Sequence, residues 1–438
     1  MSQTRIVITG MGWITPLGHD LETVWQRLRD GESGVAPIDR FDASEFPTTF
    51  AAQVRDYDFT SYVRDAAVHA HAGHNSRFAL GAARQAWDQA GLDGVSFDPL
   101  RIGIYLGAGE GVLDFDNYAR TDLQAWDRDA RAIDMPRWTE LAKSYLDPMR
   151  ELEQEPNMPA SHIAREFGIR GPVYNCLTAC AASTQAVGEA CTILGRGDAD
   201  IMVSGGTHTM IHALGVTGFN RLTALSNRND SITTASRPFS RTRDGFVMGE
   251  GAGIVILETL EHALARGATP LAEIRGYGSS ADAFRITDMQ PDGRGAQGAM
   301  RQALDSAGIA PDAVDADGTP LIHYISAHGT GTSENDSIET KAVKGVFGEL
   351  APKIPMSSIK SMMGHLIAAA GSVELITCVM ALRDQVLPPT INLDDPDPEL
   401  DLDYVANASR PSRIDTCLSN SFGFGGQNDV LIVTRYDG

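Results

Sequence analysis

The strongest constraint on this chain is that it repeats itself. Residues 81–92 read GAARQAWDQAGL and residues 298–309 read GAMRQALDSAGI, identical at eight of twelve positions. Each copy is followed by an Asp-rich loop and a strand-like run that ends in glycines, IGIYLGAG (102–109) and IHYISAHGTG (322–331). Self-similarity on this scale means that one unit folds twice. Helical stretches alternating with strand-like runs in both copies argue for an α/β fold of parallel or mixed sheets covered by helices. The halves divide as 1–265 and 266–438. Packed face to face, they bring equivalent loops and both helix N-termini to a shared centre.

At 438 residues, with 42% apolar residues and 44 glycines, the chain can bury a large core and make many tight turns. The cysteines at 176, 180, 191, 378 and 417 form no CxxC pair, so we read reduced thiols in a cytoplasmic setting. The start, MSQTRIVITGMG, does not read as a signal peptide, and no apolar run reaches about eighteen residues, which argues against a membrane span. A net charge of −21 argues against a nucleic-acid partner, and makes docking of an acidic partner depend on a local basic patch. The loop GMGWITPLG lacks the GxGxxG spacing, so a dinucleotide site is set aside.

The centre of the first half is GPVYNCLTACAASTQAVGEACTILG, residues 171–195. A strand-like run, Val173 to Leu177, stops at Thr178-Ala179-Cys180, and a helical pattern follows through Val187, Ala190, Cys191 and Leu194. Cys180 is therefore expected where a strand turns into a helix, with unpaired amides and the positive dipole end favouring a thiolate. The duplication supplies a counterpart turn at Gly364-His365, which again opens an alanine-rich helix. His328 stands in AHGTGT, at a glycine turn of the same half. Each residue alone reads as structural, a buried thiol and two satisfied imidazoles. Together they define a chemistry. A thiolate accepts an acyl group, neutral imidazoles stabilise an enolate oxygen, and amides at the helix start hold a tetrahedral oxyanion for about 3–4 kcal/mol per donor.

Five ordered segments carry a resemblance: TACAAST around Cys180, RPFSRTRDGFVMGEGAG, ISAHGTGT, SSIKSMMGHLIAAAG and SNSFGFGG. They resemble the elongating β-ketoacyl-acyl-carrier-protein synthases, the synthase I/II group, from Arg5 to Thr434, with the weakest match at 60–75 and 112–156. The resemblance implies a thiolase-like fold of two duplicated halves, each a mixed sheet layered with helices, and a homodimer. It implies decarboxylating condensation of an acyl group on Cys180 with malonyl-acyl carrier protein, as in fatty acid elongation. It makes Cys180 the nucleophile, and His328 and His365 the residues that polarise the malonyl carbonyl. Lys360 and a carboxylate partner, Glu339, would organise His365, and the amides of Cys180 and Phe424 would form the oxyanion hole. Thr330 and Thr332 would bind the pantetheine arm, and Phe219 and Phe422 would line the substrate site. It implies no bound cofactor and no metal; the carrier's phosphopantetheine arm brings the substrate. A type II polyketide ketosynthase shares the same site, and a silent chain-length partner would not need the intact Cys180, His328 and His365. Thiolase chemistry needs a second reactive cysteine, and Cys417 replaces neither histidine.

Three stretches depart from the resemblance. In GAGEG, Glu110 takes a usually apolar place along the acyl tunnel, where burying a carboxylate costs several kcal/mol. Extension is therefore expected to fall off with primer length. The charged segment 112–156 reads as a solvated surface excursion, helical from Trp138 to Leu152, that covers the tunnel mouth or extends a dimer interface. Near 60–75, Arg64 and Arg77 frame His69, His71 and His74, which read as a solvated surface rather than a metal site. Arg221 and Arg228 are further candidates for a basic patch.

Overall fold

A computed structural model describes residues 4–111 and 114–438. Its main sheet has ten strands. In chain order these are β1 (Ile6–Ile14), β2 (Ile102–Ala108), β3 (Val173–Cys176), β4 (Ile201–His208) and β5 (Gly251–Thr259), then β6 (Ala272–Ala281), β7 (Tyr324–Ser326), β8 (Met356–Ser357), β9 (Thr416–Phe422) and β10 (Gln427–Thr434). In space they run β8-β7-β9-β10-β6-β1-β5-β4-β2-β3. Outward from the centre, the first half reads 1-5-4-2-3 and the second reads 6-10-9-7-8, which is the same topology used twice. The halves join through antiparallel pairs between β1 and β6, Ile6 opposite Ile274 and Ile8 opposite Ala272.

The helices that matter are α1 (His74–Gln89), α2 (Met158–Phe167), α3 (Ala182–Arg196), α4 (Arg294–Ala307), α5 (Ser333–Phe347) and α6 (Ala370–Asp384). Helices α3 and α6 touch each other and strands of both halves, so they form the central layer. Their buried Val187, Leu194, Leu375 and Val379 pack with Ile8 and Leu431. Outside the first half, α1 and α2 contribute Phe78, Trp87, Ile163 and Phe167; outside the second, α4 and α5 contribute Met300, Leu304, Val343 and Phe347. Each such side chain, fully buried, contributes about 1.5–3 kcal/mol. The result is helices, sheet, helices, sheet, helices in succession.

The repeated segment lies in α1 and α4, and its composition has a packing cause. A Cβ on Gly10 or Gly12 of β1 would collide with the carbonyl oxygens of Ala86 and Ala82 in α1. In β6, a Cβ on Gly276 or Gly278 would collide with those of Ala303 and Ala299 in α4. Ala82 and Ala86 occupy the same places in the first copy of the repeat as Ala299 and Ala303 in the second. Backbone lies directly on backbone in both halves, which only glycine on the strand allows.

Residues 115–152 form a surface excursion of three helices, Phe115–Ala125, Met135–Tyr145 and Pro148–Leu152, the first two packed on each other. The helical stretch expected from Trp138 to Leu152 is thus broken, and the Asp147 side chain caps a separate helix at Met149 N. Val112 and Leu113 lie outside the described residues. The excursion closes at its foot, where Gly111 N donates to Gln154 O at 2.9 Å.

The solvated reading of 60–75 fails at His69, which is buried. Its Nδ1 lies 2.8 Å from His162 Nδ1 and its Nε2 3.1 Å from Glu166, while His162 Nε2 lies 2.8 Å from Glu153. His71 and His74 remain at the surface. This chain of four side chains ties the 66–69 turn to α2 and to the foot of the excursion. Among the described residues, no helix is long and apolar enough to cross a membrane.

Candidate active site

The Cys180 turn forms where sequence and backbone strain coincide. After β3, Ala179 takes φ 47°, Ala179–Ala181 make a single 3-10 turn, and α3 begins at Ala182. The second half repeats this step: Ile367 takes φ 46°, Ile367–Ala369 make the turn, and α6 begins at Ala370. Left-handed backbone at a non-glycine residue costs of order 1–3 kcal/mol and persists only where the surroundings over-determine it. The residue matching Cys180 is therefore Ala368, and His365 lies three positions earlier. This corrects the expected equivalence with Gly364-His365. The close approach again depends on glycine, since a Cβ on Gly206 would collide with Ala368 O and with Ser183.

The fold brings Cys180, His328 and His365 together, all three buried, with one ligand atom of each within 4.8 Å of the others. His365 Nε2 lies 3.0 Å from Cys180 Sγ. Its Nδ1 accepts from Ile367 N at 3.2 Å, so the neutral ring carries its proton on Nε2, facing the sulfur. The His328 and His365 rings stand 5.4 Å apart at 84°. Burial, and then the charge of Lys360, holds both imidazoles well below the usual histidine range, so both are neutral at pH 7.

The expected resting thiolate is overturned. Burial pushes the Cys180 thiol up to about 11, and the Lys360 charge and the amides of Phe424 and Cys180 pull it back only in part. Loss of water outweighs the helix end here. Those two amides face the sulfur closely enough to draw its pKa down, on the side where the oxyanion hole is expected.

The lysine's partner also differs from expectation. Lys360 pairs with Glu374, both buried, and donates to His328 O at 2.6 Å. Burial raises the Glu374 carboxyl to about 7, against the pull of Lys360. Glu339 instead accepts from His328 N at 2.9 Å, Gly329 N at 2.8 Å and Asn420 Nδ2 at 3.0 Å. It therefore shapes the His328 turn. Glu374 escaped the sequence reading, although its signal is a lone carboxylate inside the apolar helix AAAGSVELITCVMAL.

A cleft of about 420 Å³ opens onto Cys180, His328 and His365 and is lined by Thr330, Thr332, Phe246, Phe422 and Phe424. The Thr330 and Thr332 hydroxyls lie 3.0 Å apart. The Phe422 ring stands 5.7 Å from His328, and Phe246, also absent from the sequence reading, meets His365 edge-on at 5.2 Å. Phe219 does not line the cleft; it packs 5.5 Å from Phe246 in an apolar cluster with Cys180, Ile211, Val216 and Ile367. Glu110 is exposed and stands off the cleft, so within the single chain it carries no burial cost. One thiol and two imidazoles could in principle hold a divalent cation. The Lys360 ammonium behind His328 opposes one, and the same field favours a developing anion.

Cavity, buried thiol and paired neutral imidazoles fit acyl transfer, and known proteins narrow this further. The family description "Beta-ketoacyl synthase, N-terminal domain" matches residues 3–263, and "Beta-ketoacyl synthase, C-terminal domain" matches residues 271–394. The chain belongs to the β-ketoacyl synthase family. Among similar β-ketoacyl synthases, the 3-oxoacyl-[acyl-carrier-protein] synthase 2 of Coxiella burnetii is 42% identical over 99% of both chains. The protein of the same name from Synechocystis is 41% identical over 100% of this chain and 99% of its own. Of solved structures, the ishigamide ketosynthase/chain length factor superposes with a TM-score of 0.86 at 33% identity, over 99% of this chain and 100% of its own. A type II PKS ketosynthase solved with its acyl-carrier protein and a hexaketide superposes with a TM-score of 0.85 at 32% identity, over 100% of both chains. The thiolase-like fold expected from the resemblance is thus the fold of this β-ketoacyl synthase.

Proposed function

We propose that the protein is an acyltransferase that condenses an acyl group held on Cys180 with malonyl-acyl carrier protein to give a 3-oxoacyl-acyl carrier protein. The observation that carries this reading is His365 Nε2 at 3.0 Å from Cys180 Sγ, with His328 on the same cleft. Sγ attacks the carrier thioester, and the thiol proton leaves with the pantetheine thiol, so a thiol at about 11 need not ionise beforehand. The malonyl thioester then loses CO2, and neutral His328 and His365 hold the enolate oxygen. Carbon–carbon bond formation raises an oxyanion on the Cys180 ester, held by the amides of Cys180 and Phe424. Cys180 leaves as a thiolate and takes a proton from water. Thr330 and Thr332 guide the pantetheine arm, Phe422 and Phe424 flank it, and Phe219 supports the acyl side of Cys180 from behind Phe246.

Fatty acid elongation is favoured over a type II polyketide role by the higher identity to the synthase 2 proteins, 41–42% against 32–33% for the two ketosynthases solved from other pathways. The partners of this reading are an acyl carrier protein, in the cytoplasm, and a second copy of the chain. Strand β3 ends the sheet with Val173 and Tyr174 exposed, and Leu177 beyond it is also exposed, a free edge that a second β3 would complete. The functional division of the halves is drawn near residue 265.

Intact-mass measurement of Cys180 after exposure to acyl-carriers, with CO2 release from malonyl-carrier, tests the reading. A Cys180 adduct lost in Cys180→Ala and decarboxylation lost in His328→Ala are expected. No adduct with any primer and no CO2 would refute it. Tyr174→Asp with Leu177→Asp is expected to yield a monomer by sedimentation; an unchanged mass would remove the β3 interface.

A further inference from the structure

Away from the cleft, Glu166, His69, His162 and Glu153 form a chain whose hydrogen bonds do not balance with ordinary protonation states. Three contacts follow one another: Glu166 to His69 Nε2 at 3.1 Å, His69 Nδ1 to His162 Nδ1 at 2.8 Å, and His162 Nε2 to Glu153 at 2.8 Å. Each contact needs one hydrogen between its two atoms. Two neutral imidazoles bring two hydrogens, and two carboxylates bring none. Exchanging tautomers moves the shortfall along the chain without filling it, so a third proton is required. Two ring nitrogens are half the set that zinc takes, which makes the bridge a proton rather than a metal ion. His162 and Glu166 stand four apart on one face of α2, His69 on the 66–69 turn, and Glu153 at the foot of the excursion. Both ends of the excursion meet there, since a Cβ on Gly111 would stand 2.0 Å from Glu153 O. The second oxygen of Glu153 reaches the start of α1, with Gly73 N at 3.3 Å and Ser76 Oγ at 3.5 Å.

We propose that these four side chains share one proton beyond those of two neutral imidazoles, and that this proton latches the 115–152 excursion to the body of the protein. Hydroxide removes it as water and leaves two Nδ1 lone pairs facing each other, so the central contact breaks and Glu153 is released with the excursion. The chain then holds two buried negative charges where it held one. Arg84 of α1 lies 3.9 Å from Glu166, but it also serves Asp88 and Asp93. Other charged groups on the surrounding elements are engaged elsewhere or exposed: Arg77 bonds to Ala70 O, Asp65 caps the 66–69 turn, Glu151 holds Tyr118 and Gln154, and Arg165 is exposed. Histidines of the unfolded chain give up their charge near about pH 6.5, so above it the latched fold binds more protons than the unfolded chain. The latch's contribution to stability is therefore full below about pH 6.5 and is lost as pH rises. It is independent of acyl transfer at Cys180, and either can fail alone.

Glu153→Gln tests the proton count. Its amide N–H donates to His162 Nε2 while its carbonyl oxygen still accepts from Gly73 N, so the third hydrogen no longer comes from a titrating group. Trypsin cleavage within 115–152 is followed by mass spectrometry from pH 6 to 9.5, as the ratio of wild type to Glu153→Gln at each pH. The ratio cancels the protease's own response to pH. It is expected to rise at least about fivefold across that range, the least that a buried hydrogen bond left unmade gives. His69→Leu removes the central contact, and fast cleavage at every pH is expected. If Glu153→Gln does not fold, Glu166→Gln supplies the same amide hydrogen at the other end of the chain and replaces it in the ratio. A ratio that stays flat from pH 6 to 9.5 overturns the latch and leaves acyl transfer intact.

Discussion

Replacing Glu374 by glutamine removes the carboxylate that neutralises Lys360, at positions where the two side chains are 1% and 2% exposed. The ammonium keeps neutral acceptors, His328 O and the glutamine amide oxygen, but loses its counter-charge. An uncompensated buried charge costs about 3–5 kcal/mol. Unfolding entropy near 2.1 cal/mol/K per residue gives about 0.9 kcal/mol/K for 438 residues, so Glu374→Gln is expected to lower Tm by about 3–5 °C. The double variant Lys360→Met, Glu374→Leu buries no charge, and melting at or above the wild-type temperature is expected, because apolar replacement of a buried pair is often neutral or stabilising. Activity should part from stability in that variant. Without the Lys360 N–H, His328 O loses its anchor, and malonyl decarboxylation falls although the fold is restored. Thermal melts of the wild type and the two variants at pH 7.5, with CO2 release measured alongside, test this. A double variant that melts lower than Glu374→Gln would refute the assignment of the pair.

Burial holds His208 at about 4 and His328 and His365 well below the usual range, so the unfolded chain binds more protons below pH 6.5. Their contribution to stability is complete above about pH 6.5 and is lost as pH falls below it, which melts across pH 4–7.5 will record. Decarboxylation at pH 6 should stay near its pH 7.5 rate; a midpoint at 6.5 would contradict the neutral pair. With Cys180 at about 11, iodoacetamide labelling should climb roughly tenfold per pH unit from 7 to 9, and a plateau below pH 8 would contradict its burial. His162→Leu takes the partner from Glu153 Oε1 and from His69 Nδ1, leaving Glu153 only Gly73 N and Ser76 Oγ on Oε2, so a loss of about 1–3 kcal/mol and faster proteolysis of the 115–152 excursion are expected with the cleft unaltered. An unchanged melt would make that chain of bonds energetically idle.

Local signals made much of this protein readable. Glycine and alanine in the repeat record a helix backbone lying on a strand, which is why Ala82 and Ala86 recur as Ala299 and Ala303. A strand, a cysteine and a run of small residues mark the Cys180 turn, and the duplication supplies the reason that histidines of the other half converge on it. Tertiary structure decided which partners meet and how much water remains. Lys360 chose Glu374 over Glu339, because α6 passes behind His328 while Glu339 turns its carboxylate to the His328 and Gly329 amides. His69 found both its partners, His162 and Glu166, on α2, 93 and 97 residues away in the chain. The thiol expected to ionise at a helix start is protonated, since burial around Cys180 exceeds the pull of the amides and Lys360. Periodicity and turn chemistry are written in neighbouring residues. Desolvation and ion pairing depend on everything that packs around a group, and they exist only once the two halves have closed on each other.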